Sequence, residues 1–117
     1  MNRREIGKEK ETQAVLFLEK QGYTILDRNY WTRFGEIDIV AEDDGYLCFV
    51  EVKYRENAGH GAPEGVVTRK KQQNIIRTMY YYLQAKQISP DVPVRFDVIM
   101  IVGDTTTLVK HAFEISN

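Results

Sequence analysis

Three residues are best equipped for chemistry: Asp38, Glu51 and Lys53, all within the run G-E-I-D-I-V-A-E-D-D-G-Y-L-C-F-V-E-V-K-Y from Gly35 to Tyr54. The run reads as two apolar, β-branched strands joined by Asp43-Asp44-Gly45, and Asp-Gly is the strongest short hairpin signal. With Asp44-Gly45 as a two-residue turn, Asp43 pairs with Tyr46, Asp38 lies across from Glu51, and Glu36 lies across from Lys53. Period-two alternation then puts these four charges on one face with Val40 and Phe49. Ile37, Ile39, Ala41, Cys48, Val50 and Val52 make the other, core face. Facing like charges destabilise a sheet by up to roughly 1 kcal/mol before any burial. Covered carboxylates cost more still unless something positive joins them. The pattern therefore reads as a divalent-cation site with Lys53 beside it.

The elements that must position these groups follow from periodicity. Arg4 to Gln21 reads as a helix, with Glu11, Ala14 (or Val15) and Leu18 on one stripe and Gly22 as its stop. Lys8, Lys10, Glu19 and Lys20 belong to the solvated face. Glu11 continues the apolar stripe, either as a boundary residue or as a carboxylate delivered to the sheet. Tyr23 to Tyr30 is a first strand and Trp31 to Gly35 a turn. Arg28, Asn29, Tyr30, Trp31 and Arg33 mix cations with aromatics, suited to phosphate contact and base stacking. The alternative there is an ordinary strand end carrying snorkelling arginines.

Arg55 to Pro63, with two glycines and a proline, reads as a loop leaving the strand of Glu51 and Lys53, where binding loops commonly sit. His60 in that loop is either solvated or a proton carrier. A long helix from Glu64 or Thr68 to Lys86 follows, with Gln72, Ile75 (or Ile76), Met79 and Leu83 on one side. Arg69, Lys70, Lys71 and Arg77 make its first half basic. Gln72, like Glu11, is a polar group at the open end of a buried stripe. Tyr80 to Tyr82 straddle core and surface. After Ser89 to Pro93, Val94 to Val102 is a buried strand, and Gly103-Asp104 turns into a last strand over Thr107 to Ile115. Asp97 is expected to support structure by holding Arg95, an amide or a loop. The order αβββαββ implies a right-handed crossover and an α/β fold, a mixed central β-sheet flanked by two helices.

Bulk properties narrow the class. At 117 residues, the chain is read as a single domain over residues 1–117. A formal net charge of −1 excludes a globally basic nucleic-acid binder, so any such surface is local. The one cysteine, Cys48, excludes an internal disulfide and falls on the core face. Without a Cys/His cluster a zinc site has no basis. No apolar run approaches about 18 residues, and the charged start lacks a signal-peptide core, so a cytoplasmic protein with no membrane role is expected.

Asp38 followed by Glu51-x-Lys53 on the partner strand, between a helix Glu11 and a helix Gln72, resembles the PD-(D/E)xK nuclease superfamily. More closely, G-E-I-D-I-V-A, F-V-E-V-K-Y-R, R-N-Y and the first-helix E-x-x-A resemble the uncharacterised bacterial YraN-like family. That family is itself similar to Holliday-junction resolvases and tRNA-endonuclease-like domains. The resemblance spans about Glu11 to Phe113 and implies a restriction-endonuclease-like αβββαββ fold.

It also implies a Mg²⁺- or Mn²⁺-dependent endonuclease acting on structured or branched DNA. Glu11, Asp38, Glu51 and the Val52 carbonyl are then the metal ligands. Lys53 orients water or stabilises phosphate charge, and Gln72 matches the resolvase-like helix glutamine. Arg28, Arg33, Arg55, Arg69, Lys70 and Lys71 are the cations expected to meet nucleic acid. Glu36 belongs to a surrounding shell, and resolvase-like relatives make a homodimer one expectation. Ile37 stands where the superfamily name has proline, and nothing about His60 is inherited. Two rival readings are a nucleic-acid-binding protein that keeps the fold without cutting, and an assembly protein with no nucleic-acid role.

Overall fold

Residues 2–56 and 67–115 are described by a computed structural model. Helix α1 spans Arg3–Lys20. The Asn2 side chain accepts from the Glu5 amide at 2.9 Å, and the Asn2 side-chain amide donates to Glu5 Oε1 at 3.3 Å, which closes the first turn. At the other end Gly22 is left-handed (φ 97°), Gly22 N–H reaches the Glu19 carbonyl, and Tyr23 N–H reaches the Leu18 carbonyl. This paired-bond stop needs a residue free to adopt positive φ, and it drops Tyr23 into the core beside Leu18.

The chain continues through β1 (Thr24–Thr32), β2 (Gly35–Asp43), β3 (Tyr46–Arg55), α2 (Arg69–Ala85), β4 (Val94–Val102) and β5 (Thr105–Phe113). The strands form one sheet in the order β1-β2-β3-β4-β5; β3 and β4 run parallel and the other neighbours antiparallel. The single parallel pair is the one joined through α2, as a helical crossover requires. The architecture is the expected α/β arrangement, compatible with a restriction-endonuclease-like αβββαββ fold. Both sheet faces are covered. Ala14 and Leu18 of α1 pack with Ile39, Ala41, Cys48, Val50, Ile99 and Ile101, whereas Ile75, Met79, Tyr82 and Leu83 of α2 pack with Val40, Phe49, Phe96 and Val98. No described helix is long and apolar enough to cross a membrane.

Boundaries shift where pairing outlasts local turn chemistry. Trp31 pairs with Glu36 and Thr32 with Gly35, so the expected five-residue turn contracts to Arg33-Phe34. At Gly103 (φ 57°) the two-residue turn pairs Val102 with Thr105, so β5 begins earlier than Thr107 and ends at Phe113. The expected loop from Arg55 to Pro63 falls mostly outside the described residues, His60 included.

Asp97 is fully buried on β4 and has the supporting role expected of it. It accepts from Tyr23 Oη at 2.7 Å, from Arg95 Nε at 2.9 Å and from the His111 amide at 3.1 Å. Arg95 also bonds Asp43 at 2.7 Å, and Lys110 meets the same carboxylate at 3.0 Å. Burial pushes Asp43 upwards, but these bonds from Arg95 and Lys110 outweigh it and hold the carboxyl below the usual range. Its contribution to stability is therefore present above about pH 4 and lost as pH falls through the lowered value.

Removing Arg95 would strand buried Asp97 with much of its compensation gone. Arg95→Ala is expected to cost roughly 3–5 kcal/mol in urea unfolding at pH 7. It also weakens the loss of stability on acidification, because Asp43 then has only Lys110.

Candidate metal and phosphate site

The hairpin that carries the site has the expected register. Asp44 and Gly45 both take positive φ (52° and 82°), and Asp43 pairs with Tyr46, Ala41 with Cys48 and Ile39 with Val50. The pairing stops there. By the alternation of an antiparallel ladder, the Val52 amide would next bond the β2 backbone. It instead donates to Asp38 Oδ2 at 2.8 Å. Asp38 thus holds the two strands apart and uses the released amide as its own partner.

The opening also breaks the expected division of faces. Ile37 packs with Val40 in the α2-side cluster, so alternation slips by one residue between them. Glu36 and Asp38 turn to the α1 side, where one oxygen from each lies within 4.8 Å of one from Glu11. Glu51 continues the Phe49 row towards α2, where Lys71 Nζ meets it at 3.6 Å. The four charges expected on one face are therefore divided around the gap, because period-two alternation cannot persist through a strand that has left its ladder.

Electrostatics ties the two halves together. Burial, followed by the Glu51 charge and smaller contributions from Glu11 and Glu36, pushes Asp38 up to about 8 against the opposing Val52 hydrogen bond. Burial likewise raises Glu51, with Lys71 and Lys53 opposing it. The site thus gathers four carboxylates, Glu11, Glu36, Asp38 and Glu51, with Arg28, Lys71 and Lys53 as neighbouring cations, and burial favours the protonated form of Asp38. A hard cation is the ligand such an oxygen-only set can take. The Cys48 thiol, pushed up to about 12 mainly by burial, is no candidate nucleophile.

Each supporting side chain has a traceable origin. Glu11 is one of the buried residues of α1, and it accepts from Arg28 Nε at 3.2 Å and from Asn29 Nδ2 at 2.9 Å. Among the described residues both bonds fall on Oε1. Arg28 also bonds Thr12, so this cation orients α1 rather than standing free for phosphate. Asn29 reaches Glu11 from a left-handed backbone (φ 53°), a conformation asparagine tolerates. A cavity of about 510 Å³ lies between these groups, lined by Glu11, Asn29, Glu36, Asp38, Val52 and Tyr54, with Arg4 and Lys8 also facing it.

The sequence pattern puts Glu36 in a surrounding shell, Asn29 among residues suited to phosphate contact and Lys8 on a solvated face, whereas all three line the cavity here, with Arg4. The spacing Arg4, Lys8, Glu11 was the available signal, since residues three and four apart share a helix face. Of the other expected residues, Gln72 bonds the Val67 carbonyl at 2.8 Å and so helps cap α2. Lys53 follows Glu51 on the same strand row and is half-buried. Arg33, Arg69 and Lys70 are exposed, Lys71 is drawn to Glu51, and the Arg55 carbonyl accepts from Gly103.

The family model described as "Uncharacterised protein family UPF0102" matches residues 10–101. A UPF0102 protein of Lachnoclostridium phytofermentans is 48% identical over 114 residues, 97% of either chain. One from Persephonella marina is 45% identical over 109 residues, 93% of either chain. One from Chlorobaculum parvum is 50% identical over 98 residues, 84% of this chain and 75% of that protein.

The raised Asp38 has a thermodynamic signature. Between about pH 4 and pH 8 the folded protein binds a proton that the unfolded chain has released, so metal-free stability falls as pH rises through that window. Asp38→Asn keeps an oxygen for the Val52 amide and removes the charge. Urea unfolding in EDTA should find it more stable than the parent at pH 8, by about 1 kcal/mol, with a flatter pH profile.

Proposed function

The chain belongs to the UPF0102 family, and we propose that it is a divalent-metal-dependent endonuclease cutting phosphodiester bonds in structured or branched DNA. One observation carries this reading. A sheet opened by its own aspartate gathers Glu11 and Glu36 within 4.8 Å of Asp38, while Glu51 and Lys53 stand on the adjoining strand. An aspartate raised by burial and by neighbouring acids, set beside a cavity, is the kind of group found at functional sites.

The donor set fits Mg²⁺ or Mn²⁺. Carboxylate oxygens of Glu11, Glu36 and Asp38 converge within 4.8 Å, and hard oxygen donors are what such a cation takes. Glu11, Asp38 and Glu36 would hold the ion, with Glu51 and the Val52 carbonyl adjoining. When bound, the ion supplies Lewis acidity to a phosphate oxygen and acidity to water. This chain's residues do the rest. Lys53 brings a cation to the phosphate without competing for the ion, since an ammonium has no lone pair to donate. Arg28 and Asn29 fix Glu11 by one oxygen and leave the other to the cavity. Asp38 must lose its proton before it can ligate, so metal affinity should rise with pH through about 8.

A second reading has its own support. Lys71 already sits on Glu51 and Arg28 on Glu11, so the chain's own cations partly occupy the places a metal would take. That arrangement suits a nucleic-acid-binding protein that keeps the fold and does not cut.

Titration with Mn²⁺, followed by calorimetry and by cleavage of junction, flap, single-stranded and duplex DNA, separates the two. The endonuclease reading expects saturable binding and cleavage, both reduced at least 100-fold in Asp38→Ala and Glu51→Ala. Cleavage that survives both substitutions, or DNA bound without saturable Mn²⁺ binding and without cleavage of any of these substrates, would rule it out.

A further inference from the structure

Helix α2 carries four cations and no carboxylate in the sequence RKKQQNIIRTMYYYLQA. Its outward positions include Arg69, Lys70, Gln73, Arg77, Tyr80 and Tyr81, all exposed. The net charge of −1 conceals this one-sided surface. Two large aromatic groups lie open on it, Tyr80 at 49% and Tyr81 at 44% exposure. Single apolar groups at a surface are ordinary, but Tyr81 belongs to an ordered stack.

The β1–β2 turn supplies the other half of that stack. The Phe34 ring lies 5.5 Å from the Tyr81 ring, tilted by 33°. Arg33 lies 4.9 Å from the Phe34 centroid and Arg77 lies 5.3 Å from it. Among the described residues, neither arginine is paired with a carboxylate. The turn is fixed to the helix by Thr32 Oγ1 and Thr78 Oγ1, 3.3 Å apart, so the stack is held in place before any ligand arrives.

Planar cations and open aromatic rings, with no compensating acids, complement a polyanion bearing flat apolar faces. Bases present those faces only when unpaired, because a duplex hides them in its own stack. We infer that the outer face of α2, together with the Arg33-Phe34 turn, docks an unpaired nucleic-acid strand. Phe34 and Tyr81 receive a base, while Arg33, Arg77, Arg69 and Lys70 track phosphates. From Arg69 to Tyr81 the helix advances about 18 Å, room for a few nucleotides of an unpaired strand. Lys71, on the same helix, reaches Glu51, so the strand would run towards the acidic site. The inference rests on the nuclease reading only for what happens there; docking itself needs neither metal nor cleavage.

The test is fluorescence anisotropy in EDTA with labelled oligothymidylates of increasing length, an oligouridylate, and a duplex. Affinity should climb with length to a plateau at a few nucleotides and exceed that for the duplex. DNA and RNA arms show whether the strand's sugar matters; tight binding of either supports docking. Tyr81→Ala should weaken single-strand binding about 10-fold or more and duplex binding little. Arg77→Gln should weaken binding and lower the salt slope by about one ion. Measurement in EDTA, where no metal-dependent cleavage proceeds, keeps failure of the cleavage reading separate.

Circular dichroism confirms that each variant folds. Folded Tyr81→Ala and Arg77→Gln proteins that bind single strands within two-fold of the parent would overturn the inference. So would a preference for duplex. Loss of self-association in Tyr81→Ala, with oligonucleotide affinity unaltered, would make the face an interface between two copies instead.

Discussion

One hydrogen bond sets the geometry of the candidate site: Val52 N–H to Asp38 Oδ2, 2.8 Å long. A backbone amide in a sheet interior must find an acceptor, and the neighbouring strand normally provides it. When a side chain provides it instead, the strands can part without leaving an orphaned donor. Every described buried side-chain polar atom is also satisfied, so the opening is stable rather than a defect. The parting frees Glu36 and Asp38 from strict alternation and turns them towards Glu11. Had the ladder continued, Asp38 would have faced α2 beside Val40 and the acidic group would not exist.

That opening also organises charge across the molecule. The α1 side gathers carboxylates around a cavity, and the α2 side presents cations to solvent. They meet at β3, where Glu51 is caught between the burial that raises it and the lysines that oppose that rise. A polyanion approaching α2 would compete for Lys71 and loosen its hold on Glu51. A cation entering from the α1 side would lower the same carboxylate's need for Lys71. The two surfaces are therefore electrostatically linked through one ion pair of 3.6 Å.

Much of this was legible in the sequence, for definable reasons. The Asp44-Gly45 turn fixed the hairpin register because both residues accept positive φ, and the β4 boundaries followed from an uninterrupted apolar run. Gly22 marked the end of α1 through the conformation only it adopts cheaply there. The grouping of Glu36 with Asp38 and Glu11 was not legible, because it depends on a ladder that ends early. That ending is decided by competition between a side-chain and a main-chain acceptor for Val52, which periodicity does not encode. The bond from Asn29 to Glu11 was not legible for a similar reason: it comes from a left-handed backbone in the middle of a strand. The Phe34–Tyr81 stack needs residues far apart in sequence to meet, and Tyr81 in a tyrosine run carries no local sign of which ring faces out.

The chain contains an internal control for reading Asp38 as functional. Asp97 lies in the same sheet, fully buried where Asp38 is half-buried, and is also near another acid, Asp43, by way of Arg95. There the protein surrounds the acids with Arg95, Tyr23, Lys110 and the His111 amide, and Asp43 is held below the usual carboxylate range. At Asp38 it supplies one backbone amide, places further carboxylates nearby, and the group rises to about 8. The same fold thus surrounds one aspartate with donors and, among the described residues, gives the other a single backbone amide. Stability alone favours the first solution in both places, since a poorly compensated carboxylate away from water lowers the free energy of folding. The difference between two aspartates in one sheet is what supports the proposed cation site at Asp38.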